Sequence, residues 1–265
     1  MSLYDRPDPR RLDLRASLRS LTGEWLVRVN RQRAGLSVYA VVDVSASMTF
    51  GVTPKLNVVS DFLESLGISA FRSADAVGLL AFDSNERDDL FVPARISRGA
   101  GSVMSATLRQ GRDARGGARR DGASHPWAST SADARGDRGL ERTTNRLAGR
   151  AGLVFIVSDF HWPLDRLGVI LDLLANAFVV PLVVWDPAET VPPAKNGFAL
   201  LRDAETSSQR ALWLRPSLRT RWRDSVANRR RELERIFASR SIAPVYMEGE
   251  FDSERLSRYF LEGES

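Results

Sequence analysis

Asp43, Ser45 and Ser47 follow one another at alternate positions in the stretch VYAVVDVSASM. In an extended or looped segment alternate side chains point the same way, so these three can converge on one point. A carboxylate and two hydroxyls are hard ligands, which suit Mg²⁺ or Mn²⁺, with Ca²⁺ possible, and do not suit soft metals. Because few protein charges surround the ion, water or a carboxylate from another molecule would complete its shell. The pattern therefore favours an adhesion-type site over a catalytic one.

These side chains follow an apolar, β-branched run at 36–44, which predicts a buried strand. A second such run, at 152–160, ends in Asp159. Further strands are predicted at 75–82, 89–96, 177–185 and 243–249, with a short strand pair within 186–206. Helices are predicted at 54–72, 138–149, 164–176, 216–239 and 252–263. Strands that alternate with helices predict a parallel sheet, in which ligands bind beyond the carboxyl ends of the strands. We therefore expect Asp43 and Asp159 at the same edge.

Composition bounds the class of protein. The 265 residues contain no cysteine, which excludes a disulfide framework and thiolate metal sites and fits a cytoplasmic location. No signal peptide is visible and no apolar run reaches the length of a membrane span. The formal charge is +5, and nearly all of the positive charge is arginine, since the only lysines are Lys55 and Lys195.

We expect a basic N-terminal arm at 1–35 that packs on a domain at 36–265, and a long flexible loop at about 97–138, where Gly, Ser, Ala, Arg and Asp dominate.

The stretch DVSAS matches the D-x-S-x-S signature of von Willebrand factor A domains, whose metal-ion-dependent adhesion site uses these side chains. Asp159 in IVSDF resembles the later aspartate of those domains, which usually reaches the metal through water. The region around DPRRLDLRASLRSL, together with LLAFDS and VVWDPAETVPP, resembles the domain-of-unknown-function 58 family, a bacterial branch of von Willebrand A-like proteins with MxaS-like members. The resemblance implies a Rossmann-like α/β fold with a mostly parallel central sheet and helices on both faces. It also implies a non-enzymatic interaction module that acts with a MoxR-type AAA+ ATPase in assembly, maturation or metal insertion of a client complex.

One expected ligand has no obvious equivalent. The family usually supplies a threonine from a G-T-D loop before the helix that precedes the SDF strand, and this chain contains no G-T-D. Thr130 is the candidate substitute, and Ser131 and Asp137 compete with it.

Two other classes of function stay open from the residues alone. A hydrolase of the haloacid-dehalogenase kind also places an aspartate after its first strand, but it needs a second acid two positions later, where this chain has Ser45. A nucleic-acid-binding protein could use the arginine-rich helix at 216–239, although no aromatic-interleaved basic motif supports it. On that helix, Arg229 and Arg230 are candidates for docking an acidic partner, with pairing inside the domain as the alternative. His161 is expected to be packed or solvent-facing, and Trp162 to belong to the core.

Overall fold

The computed structural model describes Ser17 and residues 35–49, 54–120, 136–193, 197–202 and 209–262. The chain divides after Gly35 into two units, and the fold described below belongs to the second, Leu36–Ser265. The predicted arm at 1–35 lies almost entirely outside the described residues and stays a prediction.

Eight strands are described: β1 (Ser37–Asp43), β2 (Ala76–Phe82), β3 (Val92–Arg95), β4 (Gly152–Ser158), β5 (Ala177–Trp185), β6 (Gly197–Arg202), β7 (Gln209–Leu214) and β8 (Val245–Glu248). Six of them form one sheet in the order β3-β2-β1-β4-β5-β8, and β6 pairs with β7 as a separate antiparallel hairpin. Within the sheet only β3 runs antiparallel to its neighbour. This is the strand order of doubly wound α/β folds, and the predicted α/β class, with a mostly parallel central sheet and helices on both faces, is confirmed.

Seven helices are described: α1 (Lys55–Ser73), α2 (Ala100–Arg120), α3 (Gly136–Asn145), α4 (Leu167–Leu173), α5 (Pro187–Thr190), α6 (Pro216–Ala238) and α7 (Ser253–Glu262). They cover both faces of the sheet. Alternate residues of β1 therefore enter two different cores. Val38, Ala40 and Val42 pack with α1 and α2, whereas Val41 packs with α3, α4 and α6. None of the helices in the described ranges is long and apolar enough to cross a membrane.

The prediction of a flexible loop at 97–138 is wrong over α2 and the start of α3. Ala100, Met104 and Leu108 recur every four residues and are buried against α1. Gly67 of α1 and Gly101 of α2 let the two helix backbones touch. A Cβ added to Gly67 would lie 2.3 Å from the Gly101 nitrogen, and a Cβ added to Gly101 would lie 2.8 Å from the carbonyl oxygen of Glu64. The glycine and alanine content that suggested a loop therefore serves a close helix contact. Residues 121–135 lie outside the described part of the chain.

The order of strands also creates the place for a ligand. After β1 the chain adds β2 and β3 on one side of it and then returns with β4 on the other side. The crevice between the carboxyl ends of β1 and β4 is thus a topological switch point, the usual ligand position in such sheets. We call the segments Asp43–Ser47 and Ser158–Trp162, which line this crevice, together with Lys55 and Glu189, whose side chains lie against Asp159 and His161, the rim.

Candidate functional site: the rim between β1 and β4

Asp43 lies at the end of β1 and is completely buried. Its Oδ1 accepts a hydrogen bond of 2.9 Å from the backbone N–H of Ser45. Its Oδ2 accepts from the hydroxyl of Ser158 at 2.6 Å and from the indole Nε1 of Trp162 at 3.3 Å. The carboxylate is therefore held in one orientation by three donors from both strands of the crevice.

Ser45 and Ser47 follow at the mouth of the crevice, where the chain makes a 3₁₀ turn at Ala46–Thr49. Their hydroxyl oxygens lie 3.1 Å apart, and both residues are partly exposed. Adjacent oxygens around an octahedral Mg²⁺ are separated by about 3.0 Å, which is √2 times a metal–oxygen distance of about 2.1 Å. The two hydroxyls are hydrogen-bonded to each other at this distance, which also equals the spacing of neighbouring ligands of one small divalent ion.

Asp159 follows β4 directly and is also completely buried. Its Oδ2 lies 2.6 Å from the ammonium of Lys55, the first residue of α1, and its Oδ1 accepts from the His161 N–H at 3.2 Å. The same ammonium lies 2.8 Å from Oε1 of Glu189. Asp159 thus reaches the rim as expected, but its charge is already paired with a buried cation.

Glu189 is fixed from three sides. It is the last member of a capping box, in which its Oε2 accepts from the backbone N–H of Asp186 at 3.1 Å. Its own carbonyl accepts from the indole of Trp222 on α6 at 2.7 Å. The imidazole Nε2 of His161 lies 3.7 Å from its Oε2. Ligand atoms of Asp159, His161 and Glu189 all lie within 4.8 Å of one another, which is close enough for one metal ion.

The turn after Asp159 adopts a costly backbone conformation. Phe160 has a φ of 51°, in the left-handed region that a bulky side chain rarely occupies. Arg229 of α6 stabilises this turn, since its guanidinium donates to the carbonyls of Phe160 and Trp162. Of the two alternatives left open for Arg229 and Arg230, docking an acidic partner or pairing inside the domain, the contacts favour pairing, because Arg230 also pairs internally, with Glu234 and the ring of Tyr246.

The electrostatics of the rim reflect burial. Desolvation, followed by the nearby charge of Asp159, raises the pKa of Asp43 to about 6, against the hydrogen bonds from Ser158 and Ser45 that lower it. Burial would also raise the pKa of Glu189, but its contacts with His161 and Lys55 lower that pKa to about 2. Among the residues that the structure describes, Asp43 is therefore the carboxylate of the rim that lacks a compensating cation.

Of the three candidates for the missing loop ligand, only Asp137 lies in the described part of the chain; Thr130 and Ser131 fall outside it. Asp137 is buried in the first turn of α3, and its Oδ1 has no hydrogen-bond partner there. The residue before it, Gly136, packs directly on Trp162, since a Cβ at Gly136 would lie 2.6 Å from the indole Cδ1. Because that indole donates to Asp43, the start of α3 borders the rim.

Sequence reasoning missed Lys55, Glu189 and Ser158 as members of this site. The signal for Lys55 was present, since only two of the 38 basic residues are lysines and one of them opens the helix after the DVSAS strand. Glu189 stands in D-P-A-E, a readable capping box, but its contact with Lys55 spans 134 residues and depends on the topology of the sheet.

A family model described as "Protein of unknown function DUF58" matches residues 6–232. No curated protein matches the sequence. Three solved structures are similar at low identity. The conserved hypothetical protein BatB from Bacteroides thetaiotaomicron is 14% identical, with 87% of this chain and 98% of that chain covered and a TM-score of 0.46. An aerotolerance-related membrane protein from Bacteroides fragilis is 14% identical, with the same coverage and a TM-score of 0.41. The VWA domain of SpRpn10 is 9% identical, with 84% of this chain and 95% of that chain covered and a TM-score of 0.40.

Proposed function

The chain belongs to the DUF58 family, and from this premise we propose that it is a non-enzymatic protein-interaction module whose rim binds one Mg²⁺ or Mn²⁺ ion. Its partner in this proposal is a MoxR-type AAA+ ATPase, and the two act on a client complex during assembly, maturation or metal insertion. An acidic side chain of the partner protein completes the coordination of the ion.

The observation that carries the proposal is the spacing of Ser45 and Ser47 beside Asp43. Two hydroxyl oxygens 3.1 Å apart, next to a buried carboxylate at a topological switch point, fit the ligand geometry of a small hard cation. The carboxylate Oδ1 of Asp137 at the neighbouring start of α3, which has no hydrogen-bond partner among the described residues, offers a further oxygen ligand in the region where the family supplies threonine. An ion held in this way keeps part of its shell for water, which a carboxylate of another protein can replace.

A groove beside the rim supports a protein partner. His161, Trp185, Glu189 and Val226 contribute to its walls, so apolar surface alternates with fixed polar groups. Such a concave surface suits the residues that flank a metal-binding carboxylate on the partner.

The site lacks what a hydrolase of the haloacid-dehalogenase kind requires. Both oxygens of Asp43 accept hydrogen bonds from protein donors, and position 45, where the general acid would stand, is a serine. A nucleic-acid-binding function is also less favoured, since Arg229 and Arg230 of the basic helix bond within the domain.

The metal is tested by calorimetric titration of the purified chain with Mg²⁺ and Mn²⁺. We expect one site per chain that is lost in the double variant Ser45→Ala/Ser47→Ala. The matched control is Ser239→Ala/Ser257→Ala, which removes two exposed hydroxyls on other helices. Equal binding by the wild type and the rim variant would contradict the proposal.

The partner is tested by surface plasmon resonance against the cognate AAA+ ATPase. Chelation by EDTA and the substitution Asp43→Ala should weaken the complex to the same extent at every salt concentration, because both remove the bridging ion. If neither changes the affinity, the module binds through another face.

A further inference from the structure

Lys55 is the least expected residue of the rim. It is 1% exposed, and it opens α1, where the positive end of the helix dipole disfavours a cation. Pro54, which stands at the N-cap position, offers no side-chain cap, so no local contact among the described residues explains the position of the ammonium. Its two carboxylate contacts, of 2.6 Å and 2.8 Å, must therefore hold it there.

Both carboxylates belong to the group that could hold a metal. Asp159 and Glu189, together with the imidazole of His161, offer two oxygens and one nitrogen within 4.8 Å of one another. The ammonium contacts both of the acidic members of this group. It thus supplies the positive charge that an ion coordinated by these three side chains would supply.

The charges of the rim support the same view. Asp43, Asp159 and Glu189 carry three negative charges, and Lys55 offsets one of them. The remaining two equal the charge of a single divalent ion at Asp43, Ser45 and Ser47. A second divalent ion at Asp159 would bring its charge directly against the ammonium.

The choice of lysine also has a physical reason. In a chain where 36 of the 38 basic residues are arginine, this buried position carries a lysine. An ammonium is a compact point charge with donors in several directions, whereas a guanidinium is a large planar fork. Only the compact cation matches a metal-like position between two carboxylates.

We infer that Lys55 is a built-in cation that occupies a second metal position, formed by Asp159, His161 and Glu189, and limits the rim to one divalent ion. The inference concerns this second position and does not require that the proposed ion at Ser45 and Ser47 binds.

The test is a Mn²⁺ titration followed by electron paramagnetic resonance, with electron spin echo modulation to detect ¹⁴N ligands. Wild-type protein should bind Mn²⁺ without a directly bound histidine nitrogen. Lys55→Met, which keeps the length of the side chain and removes its charge, should bind one additional Mn²⁺ per chain with a ¹⁴N coupling. That coupling should disappear in Lys55→Met/His161→Gln. The control Arg109→Met, which removes a cation from an exposed pair with Glu64, should behave as the wild type.

A directly bound histidine nitrogen in the wild type would overturn the inference, and so would a Lys55→Met protein that binds no additional ion. If Lys55→Met does not fold without metal, millimolar Mn²⁺ must restore its folding and must not restore that of Lys55→Met/His161→Gln. A Lys55→Met protein that stays unfolded in Mn²⁺ also overturns the inference. Failure of the proposed function gives a different result. In that case the wild type binds no Mn²⁺, while Lys55→Met still gains its nitrogen-ligated ion.

Discussion

The buried carboxylate of Asp43 should make the metal-free protein less stable at neutral than at mildly acidic pH. Its pKa is about 6 in the folded protein and 3.8 in the unfolded chain, so the folded state binds more protons between these values. The stability that protonation contributes is fully present below about pH 4 and is lost as the pH rises through 6. Glu189 acts in the opposite sense, but its contribution is lost only as the pH falls from 4.5 towards 2 and is nearly constant above pH 5.

The size of the effect follows from the two pKa values. Between pH 5 and pH 7, a single group with these values lowers the free energy of unfolding by about 1.3 kcal/mol. For a protein of this length, that corresponds to a fall of roughly 2–3 °C in the midpoint of thermal unfolding.

The assay is thermal unfolding in EDTA at pH 5, 6 and 7, for the wild type and for Asp43→Asn. The variant loses a hydrogen bond to Ser158 or Trp162 at every pH, which shifts its stability by an offset unrelated to protonation, so the informative quantity is the difference in slope between the two pH profiles. Asp61→Asn, which neutralises an exposed carboxylate of α1, should keep the wild-type slope. Parallel pH profiles for the wild type and Asp43→Asn would refute the assignment of a raised pKa to Asp43.

Three further results are expected from substitutions elsewhere. Lys55→Met should lower the free energy of unfolding in EDTA by about 3–5 kcal/mol, because it leaves buried Asp159 unpaired, whereas Arg109→Met should cost less than about 1 kcal/mol by denaturant titration. Gly67→Ala should destabilise the protein by about 1–3 kcal/mol in the same titration through its clash with Gly101, and an unchanged midpoint would mean that α1 and α2 can separate without cost. Arg229→Met should lower the midpoint of thermal unfolding more than Arg223→Met, since only the former loses hydrogen bonds to buried carbonyls; equal effects would count against a role of Arg229 in holding the turn at Phe160.

The strands and their common edge could be predicted from the sequence because continuous β-branched runs are typical of buried parallel strands. The order β3-β2-β1-β4-β5-β8, which the sequence alone does not determine, brings Asp43 and Asp159 to neighbouring strand ends. The register confirms this, since Val42 pairs with Val157 one residue before Asp43 and Ser158.

Two features could not be predicted, for different physical reasons. The composition around Gly101 is typical of loops, and only its contact with Gly67 explains why a glycine is required inside a helix. The ion pairs of Lys55 join residues that are 104 and 134 positions apart, so they depend on the assembled sheet. The spacing of Ala100, Met104 and Leu108 was a usable signal for α2, which the composition obscured.

The scarcity of lysine gives this fold a simple chemical reporter. Amine-acylating reagents attack free amines and leave arginine unmodified, so Lys55 and Lys195 carry the only side-chain amines of the sequence that they can label. Lys55 is buried and paired with two carboxylates, and it becomes reactive only when the first turn of α1 separates from Asp159 and Glu189. The rate at which a peptide containing Lys55 gains an acyl group, read by mass spectrometry, therefore measures how often the rim opens in the native protein.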